Sequence, residues 1–486
     1  MFRPGRFPLS ALCCCAAILA ALFAPAASAA AIRRIDVAGS TLRQAALGAA
    51  TQGFIGAPLD RAALQHIADA LAALYAMSDV ALYQVGVPEQ DFAGGDVRIA
   101  VQEGYVERVE TQGDAALGLA GAYGERLAAE RPLRKSSLQR YVSLLRDMPG
   151  VAVTPTLRRG SAPGGALLSL DVARRALPAT VAFDSGLGLQ AVADFTALAQ
   201  DGGVSRMTVL LPLQSGRATY AALSQTLPLD ADGTAISLGT AWFHAPDNRY
   251  GIRNDGLTTQ IALSHAFVRD AGESLTGSLG FDAADMSSAI GGRPWSGAHL
   301  RSFRLGAAYS ASAPDQGFAL SATASLGAAG QGGASLSADP VFAKLLVQMQ
   351  FDRRLADGFL LRLRGVAQIA ANRLAVQELY LFGGTGSAFA PATTFGDSAA
   401  GGRAELDADL RTGWQPYVFL DGAAAWLRAR PFFSAQVLTL ASAGAGLRLA
   451  LDATTAFEIE GAAGLSAPAP NAGAWRLFFA LSRKTD

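Results

Sequence analysis

Three groupings in this sequence have residue types and spacings that could do chemistry. The first is LFGGTGSAFAPATTFGD, Leu381 to Asp397, where Gly383, Gly384 and Gly386 crowd a short stretch. A phosphate cradle needs such glycines, but also a helix N-terminus and a cation to complete it. No lysine and no helical period follow, so the stretch reads as a long loop between strands. The second is GLGLQA, Gly186 to Ala191, a formal GxGxxA dinucleotide fingerprint behind a strand. A ribose-binding acid belongs about twenty residues further on, and Asp194 is too close to serve. These glycines read as turn residues at a strand end. The third is Glu405, Asp407 and Asp409, carboxylates at alternate positions that could work as general acid and base. They share one strand face with Arg403 and Arg411, which is the composition of a solvated wall. His66, His244, His265 and His299 show no metal-ligand spacing, and neither a Walker lysine nor a GxSxG elbow appears. The expectation is a protein that is not an enzyme, with no cofactor and no metal.

The elements that would position these groups fall into two regimes. From about residue 179 to the end, helical periodicity disappears and strict alternation takes over. In RAELDADLR the charged residues Arg403 to Arg411 oppose Ala404, Leu406, Ala408 and Leu410. FLLRLRGVAQIA opposes Leu361, Leu363, Ala367 and Ile369 to Arg362, Arg364 and Gln368, and AKLLVQMQF opposes Leu345, Val347, Met349 and Phe351 to Lys344, Gln348 and Gln350. One face suits water and the other hydrocarbon. About sixteen such segments of roughly nine to eleven residues fit tilted membrane strands, and backbone amides in lipid require the sheet to close. The predicted fold is therefore a transmembrane β-barrel of about sixteen antiparallel strands. A secreted sandwich or propeller is the alternative, and it would have to bury Arg362 and Arg364 or expose the leucine faces. Composition agrees with a barrel, with 51% apolar and only 16% charged residues, where a soluble enzyme carries about a quarter charged.

The N-terminal part is different. Arg3 and Arg6, an apolar run from Leu9 to Phe23 and the small residues Ala27-Ser28-Ala29 predict a signal peptide over residues 1–29. All three cysteines, Cys13 to Cys15, lie within it, so the expected mature chain has no thiol chemistry. Residues 32–104 then read strand, two helices and two strands, with Leu64, Ile67, Leu71, Leu74 and Tyr75 on one helical face. The same order recurs over residues 105–175, which predicts two small α+β modules in tandem. Net charge is zero, so no nucleic-acid partner is implied.

Taken together, these features resemble the two-partner secretion transporters of Gram-negative outer membranes, the haemolysin and haemagglutinin exporters of the Omp85 superfamily. Gly56, Leu59 and LYAMSDVALYQVGVPEQDFAGGDVRIAVQEGYVERVE carry the likeness to a first POTRA domain, and SQTLPLDADGTAISLG resembles an early barrel hairpin. The resemblance implies two periplasmic POTRA domains, an outer-membrane location, and export of an unfolded secreted partner through the barrel. It further implies contact with outer-membrane lipid, and with the barrel assembly machinery during biogenesis. Partner-binding positions would be Tyr75, Tyr83, Val85, Pro88, Gln90, Glu103 and Gly104. The family's pore loop carries a Val-Arg-Gly-Tyr tetrad whose arginine meets a Phe-x-Asp motif on the barrel wall. Here the loop reads Gly383 and Gly384, then Gly386-Ser387-Ala388-Phe389 without arginine, while the wall keeps Phe419, Asp421 and Gly422. Arg403 is a candidate replacement for the missing cation. The chain is also expected to lack the plug helix of many relatives and the terminal aromatic, although Trp475, Leu477, Phe479 and Leu481 line one face of its last strand. Two other functions remain open from the residues, an Omp85-type assembly factor and a passive porin or barrel enzyme, and the loop reads either as a constriction in the pore or as a surface loop.

Overall fold

The computed structural model describes residues 30–113, 118–174, 177, 179–185, 190–199, 202–213, 218–247, 252–333, 338–356, 358–383, 394–409, 413–430, 434–466 and 475–484. The expected signal peptide lies outside the described residues. The chain forms two compact units, one holding residues up to 108 with 128–135 and 159–167, the other 109–127, 136–158 and everything from 168.

In the first module, β1 (Arg34–Ala38) is followed by α1 (Gln44–Thr51), α2 (Arg61–Met77), β2 (Tyr83–Gly86) and β3 (Asp96–Glu103). Asp60 caps α2 by accepting a hydrogen bond from the Ala63 amide at 2.7 Å. Four-residue spacing then turns Ile67, Leu71 and Tyr75 to one buried face. On β3, strict alternation buries Val97, Ile99 and Val101 against that face. The sheet order is β1-β3-β2, with β1 parallel to β3 because the two helices supply the crossover. The second module repeats the pattern with β4 (Tyr105–Gly113), α3 (Gly118–Ala128), α4 (Lys135–Arg146), β5 (Val151–Arg159) and β6 (Gly165–Arg174), in sheet order β4-β6-β5.

Sixteen strands then close a barrel. They are β7 (Thr180–Asp184), β8 (Gln190–Leu198), β9 (Val204–Pro212), β10 (Thr219–Pro228), β11 (Thr234–Asp247), β12 (Ile252–Arg269), β13 (Glu273–Ile290) and β14 (Arg293–Ala313). They continue with β15 (Gln316–Gly333), β16 (Val341–Ala356), β17 (Phe359–Ala370), β20 (Ser398–Ala408), β21 (Trp414–Leu427), β22 (Gln436–Ala450), β23 (Thr455–Ser466) and β24 (Trp475–Lys484). The two remaining strands, β18 (Tyr380–Phe382) and β19 (Thr394–Gly396), pair inside the loop between β17 and β20. Neighbours run antiparallel throughout, and β24 closes on β7 through Ala480–Lys484. No helix among the described residues is long and apolar enough to cross a membrane.

Alternation sorts the barrel as expected. Val418, Leu420, Leu345, Ile369, Trp475 and Leu477 are exposed on its outside. Trp414 and Trp426 stand on that same outer face of β21, twelve residues apart. At the rise and tilt of barrel strands, this spacing is about 30 Å, the distance between two membrane interfaces. Two expectations need correction. Strands β12–β15 are 18 to 21 residues long rather than nine to eleven, because their hairpins continue past the apolar band. The RAELDADLR alternation ends at Ala408: the Asp409 amide instead donates to the Gly358 carbonyl at 2.6 Å, in a rim turn, and Arg411 lies outside the described residues.

Candidate functional site: the lumen wall, its loop and the first module

The charged faces read from the sequence meet inside the barrel. Arg362 on β17 pairs with Asp407 on β20 at 3.0 Å, and Arg448 on β22 reaches Asp407 at 2.7 Å and Glu405 at 2.8 Å. Arg403 bonds Glu405 at 2.7 Å and Glu460 on β23 at 2.8 Å, while its guanidinium lies 3.6 Å above the Phe419 ring. Tyr417 donates to Glu458 at 2.8 Å. Glu405, Asp407 and Glu460 are each held by arginine, which makes Glu405 and Asp407 members of one charged network.

The described parts of the loop between β17 and β20, residues 371–383 and 394–397, fold against this wall. Phe382 packs on the cluster of Tyr417, Phe419, Leu440 and Ala462. It also stands over Gly401, where an added β-carbon would come within 2.7 Å of its ring. A cavity of about 680 Å³ lies beside the loop, lined among others by Tyr380, Phe382, Gln350, Arg364, Arg403 and Asp421. Gly383 has φ +100°, a left-handed value that favours glycine, and it turns the chain out of β18. Gly384, Gly386, Ser387, Ala388 and Phe389 lie outside the described residues. Asp421 accepts hydrogen bonds from the Ser442 amide and hydroxyl. Arg403 sits opposite Asp421 in the β20–β21 register, and Gly422 faces outward beside it.

Two loop carboxylates that motif reading passed over hold the loop in place. Glu378 is buried, with one oxygen 2.8 Å from Arg304 of β14 and the other 2.7 Å from Lys344 of β16. Its carbonyl accepts from Lys344 at 2.9 Å and from Gln368 at 3.1 Å. Asp397, also buried, accepts from the Leu374 amide at 2.7 Å, the Arg428 amide at 2.8 Å and the Arg430 guanidinium at 2.8 Å. A signal for both was present, since they are the only charged residues between Leu374 and Asp397. A lone charge in an apolar loop needs a partner when it is buried.

In the first module the seven positions named from the sequence gather around β2 and the end of β3. Tyr75 is fully buried and stacks on Tyr83 with ring centroids 5.0 Å apart. Its hydroxyl donates to Glu103 at 2.6 Å and also bonds Ser40. Burial first, and then Glu103, push its pKa well above the usual phenol range. Gln90 pairs with the Arg98 main chain in both directions at 2.7 Å, continuing the ladder of β3 beyond Pro88. Val85 faces the core, and a β-carbon at Gly104 would meet Leu82 at 2.6 Å. The side chains of Tyr75, Val85 and Gln90 thus build the module, and what β2 offers outward is its edge, since it ends the sheet order. A groove of about 640 Å³ opens beside it, lined by Gln84, Gln102, Thr41, Glu103, Tyr105 and Arg131, with Arg131 stacked 4.0 Å above Tyr105.

The second module also touches the rim of short barrel turns. Arg140 of α4 donates to the carbonyls of Asp232 at 2.5 Å and Ala266 at 2.6 Å, and Arg126 pairs with the Asp232 carboxylate at 2.8 Å. Nearby, Tyr123 is pushed up to about 12, by burial first and then by Asp230 and Asp147.

Comparison with known proteins bears on both parts. Residues 30–104 match the family description "POTRA domain, ShlB-type". The first module is similar to ShlB-type POTRA domains. Among solved structures, the chain is similar to CdiB from Escherichia coli, with 18% identity and a TM-score of 0.74 over 94% of this chain and 90% of that one. CdiB from Acinetobacter baumannii matches at 15% identity and a TM-score of 0.69 over the same shares, 94% and 90%. BamA from Haemophilus ducreyi lacking POTRA domains 1–3 matches at 14% identity and a TM-score of 0.56, over 93% of this chain and 100% of that one. No curated protein matches the chain in sequence. The resemblance read from the sequence is borne out at the level of the fold: POTRA modules followed by a closed sixteen-stranded barrel.

Proposed function

We propose that the protein is an outer-membrane transporter of the two-partner secretion type, with its POTRA modules in the periplasm, exporting an unfolded secreted partner through the barrel. The observation that carries this reading is a ShlB-type POTRA domain joined in one chain to a closed barrel whose own loop is bonded to the lumen wall. The exposed edge of β2 suits capture of an extended chain, because main-chain hydrogen bonds give affinity that tolerates sequence. The loop base at Tyr380–Phe382 acts as a constriction that the moving chain displaces. Folding of the emerging partner outside supplies direction.

The test is export by the whole chain. A Gram-negative host producing the full-length protein together with a secreted protein encoded beside it should release that partner into the medium, and a host without the transporter should retain it. Retention in both hosts defeats the proposal. General loss of outer-membrane barrels on depletion would favour a role in barrel assembly instead.

A further inference from the structure

The barrel carries a polar patch on the face that points away from the lumen. On four adjacent strands, β11–β14, the residues His244, Arg253, Asp255, Asp285, His299 and Arg301 share the outward side with Leu238, Leu257, Leu279 and Phe303. Asp255 lies 2.6 Å from His244 Nδ1 and 3.0 Å from Arg253 Nε. Asp285 repeats the arrangement, 2.7 Å from His299 Nδ1 and 2.9 Å from Arg301 Nη2. The two groups adjoin, since Asp255 pairs with Ser287 and Asp285 is two residues along on the same face. Arg253 and His299 remain more than half exposed, at 56% and 59% of their side chains.

Height along the strands decides what faces the patch. His244 stands ten residues beyond Thr234 on β11, a climb of about 25 Å for a tilted barrel strand. His299 is twelve residues from Ala311 on β14, or about 30 Å. These distances match the apolar band, so the patch sits where that band ends, level with Trp426 on β21. The strands continue above it for several residues, so it looks sideways at headgroups rather than upward from a loop tip. Trp242 lies one step below, its ring parallel to His244 within 7° at 6.1 Å, as an interfacial aromatic would.

We propose that this patch docks the phosphate of an anionic lipid headgroup, one with no choline cation to compensate it, in the leaflet at the long-loop rim. Arg253, Arg301 and His299 donate to the phosphate oxygens, and Asp255 and Asp285 hold those donors in position. The acyl chains run down the outside of the barrel over Leu257 and Phe303, contacts that free phosphate lacks. The proposal rests on the barrel lying in a membrane and is independent of what the lumen carries.

Purified full-length protein in neutral detergent would be incubated with phosphatidic acid, with phosphatidylcholine of the same chains, or with inorganic phosphate, and bound lipid counted by native mass spectrometry. The expected result is retention of phosphatidic acid about tenfold over phosphatidylcholine, a factor typical of a charge-assisted contact. Arg253→Gln/Arg301→Gln should abolish this preference while the detergent melting temperature stays unchanged. If that double variant fails to fold, His299→Gln alone should reduce it. Equal retention of the two lipids, undiminished retention by a folded variant, or displacement by millimolar inorganic phosphate would each overturn the proposal.

Discussion

The ring of Phe382 stands directly over Gly401, and no other residue type at Gly401 leaves room for it. This contact joins the loop base to the lumen wall. Gly401→Val should expel the ring and raise the ion conductance of the protein in planar bilayers, and Phe382→Ala should do the same without touching the wall. Unchanged conductance in both variants would mean that the loop base does not narrow the lumen.

Glu378 is the second anchor. Glu378→Ala leaves Lys344 buried without its partner, which costs about 3–5 kcal/mol when one member of a buried pair is removed. The loop should loosen and conductance rise. Removing both charges, in Glu378→Leu/Lys344→Met, should recover most of the loss, since Arg304, the other cation on Glu378, keeps Asp282. A double variant as leaky as the single one would show that the pair is not the cause.

Leu420 faces outward midway along β21, between Trp414 and Trp426. Leu420→Arg should cost about 2–4 kcal/mol at the bilayer midplane and reduce the yield of folded barrel in liposomes. The same change at Leu420 should matter little in a water-soluble barrel, so normal folding there would contradict the membrane reading.

In the first module, burial and Glu103 raise the pKa of Tyr75 in the folded state. Its contribution to stability is then fully present below the ordinary phenol pKa of about 10 and is lost as pH rises through the folded value. The stability of the protein to denaturant should fall as pH rises above about 10 in the wild type. Tyr75→Phe, which keeps the ring, should show a flatter dependence together with a lower baseline stability of about 1 kcal/mol for the lost hydrogen bonds.

Much of this was legible in the sequence, because alternation is set by the backbone alone. The outward apolar and inward polar residues of β16, β17 and β20 up to Ala408 could be assigned from the sequence. Long-range pairing could not. Nothing local to Glu378 indicates that Arg304 and Lys344, on strands far away in the chain, meet it inside the barrel. Nor does a motif position tell what a side chain bonds to within the module: the Gln90 amide pairs with the Arg98 main chain and continues the ladder of β3.

On this stretch of the lumen wall the charges are matched, with Arg362, Arg403 and Arg448 against Glu405, Asp407, Glu458 and Glu460. On the proposed reading, a polypeptide threading past them would meet little unspent attraction along this stretch. Choosing between cargoes would then fall to the doorway rather than to this part of the passage.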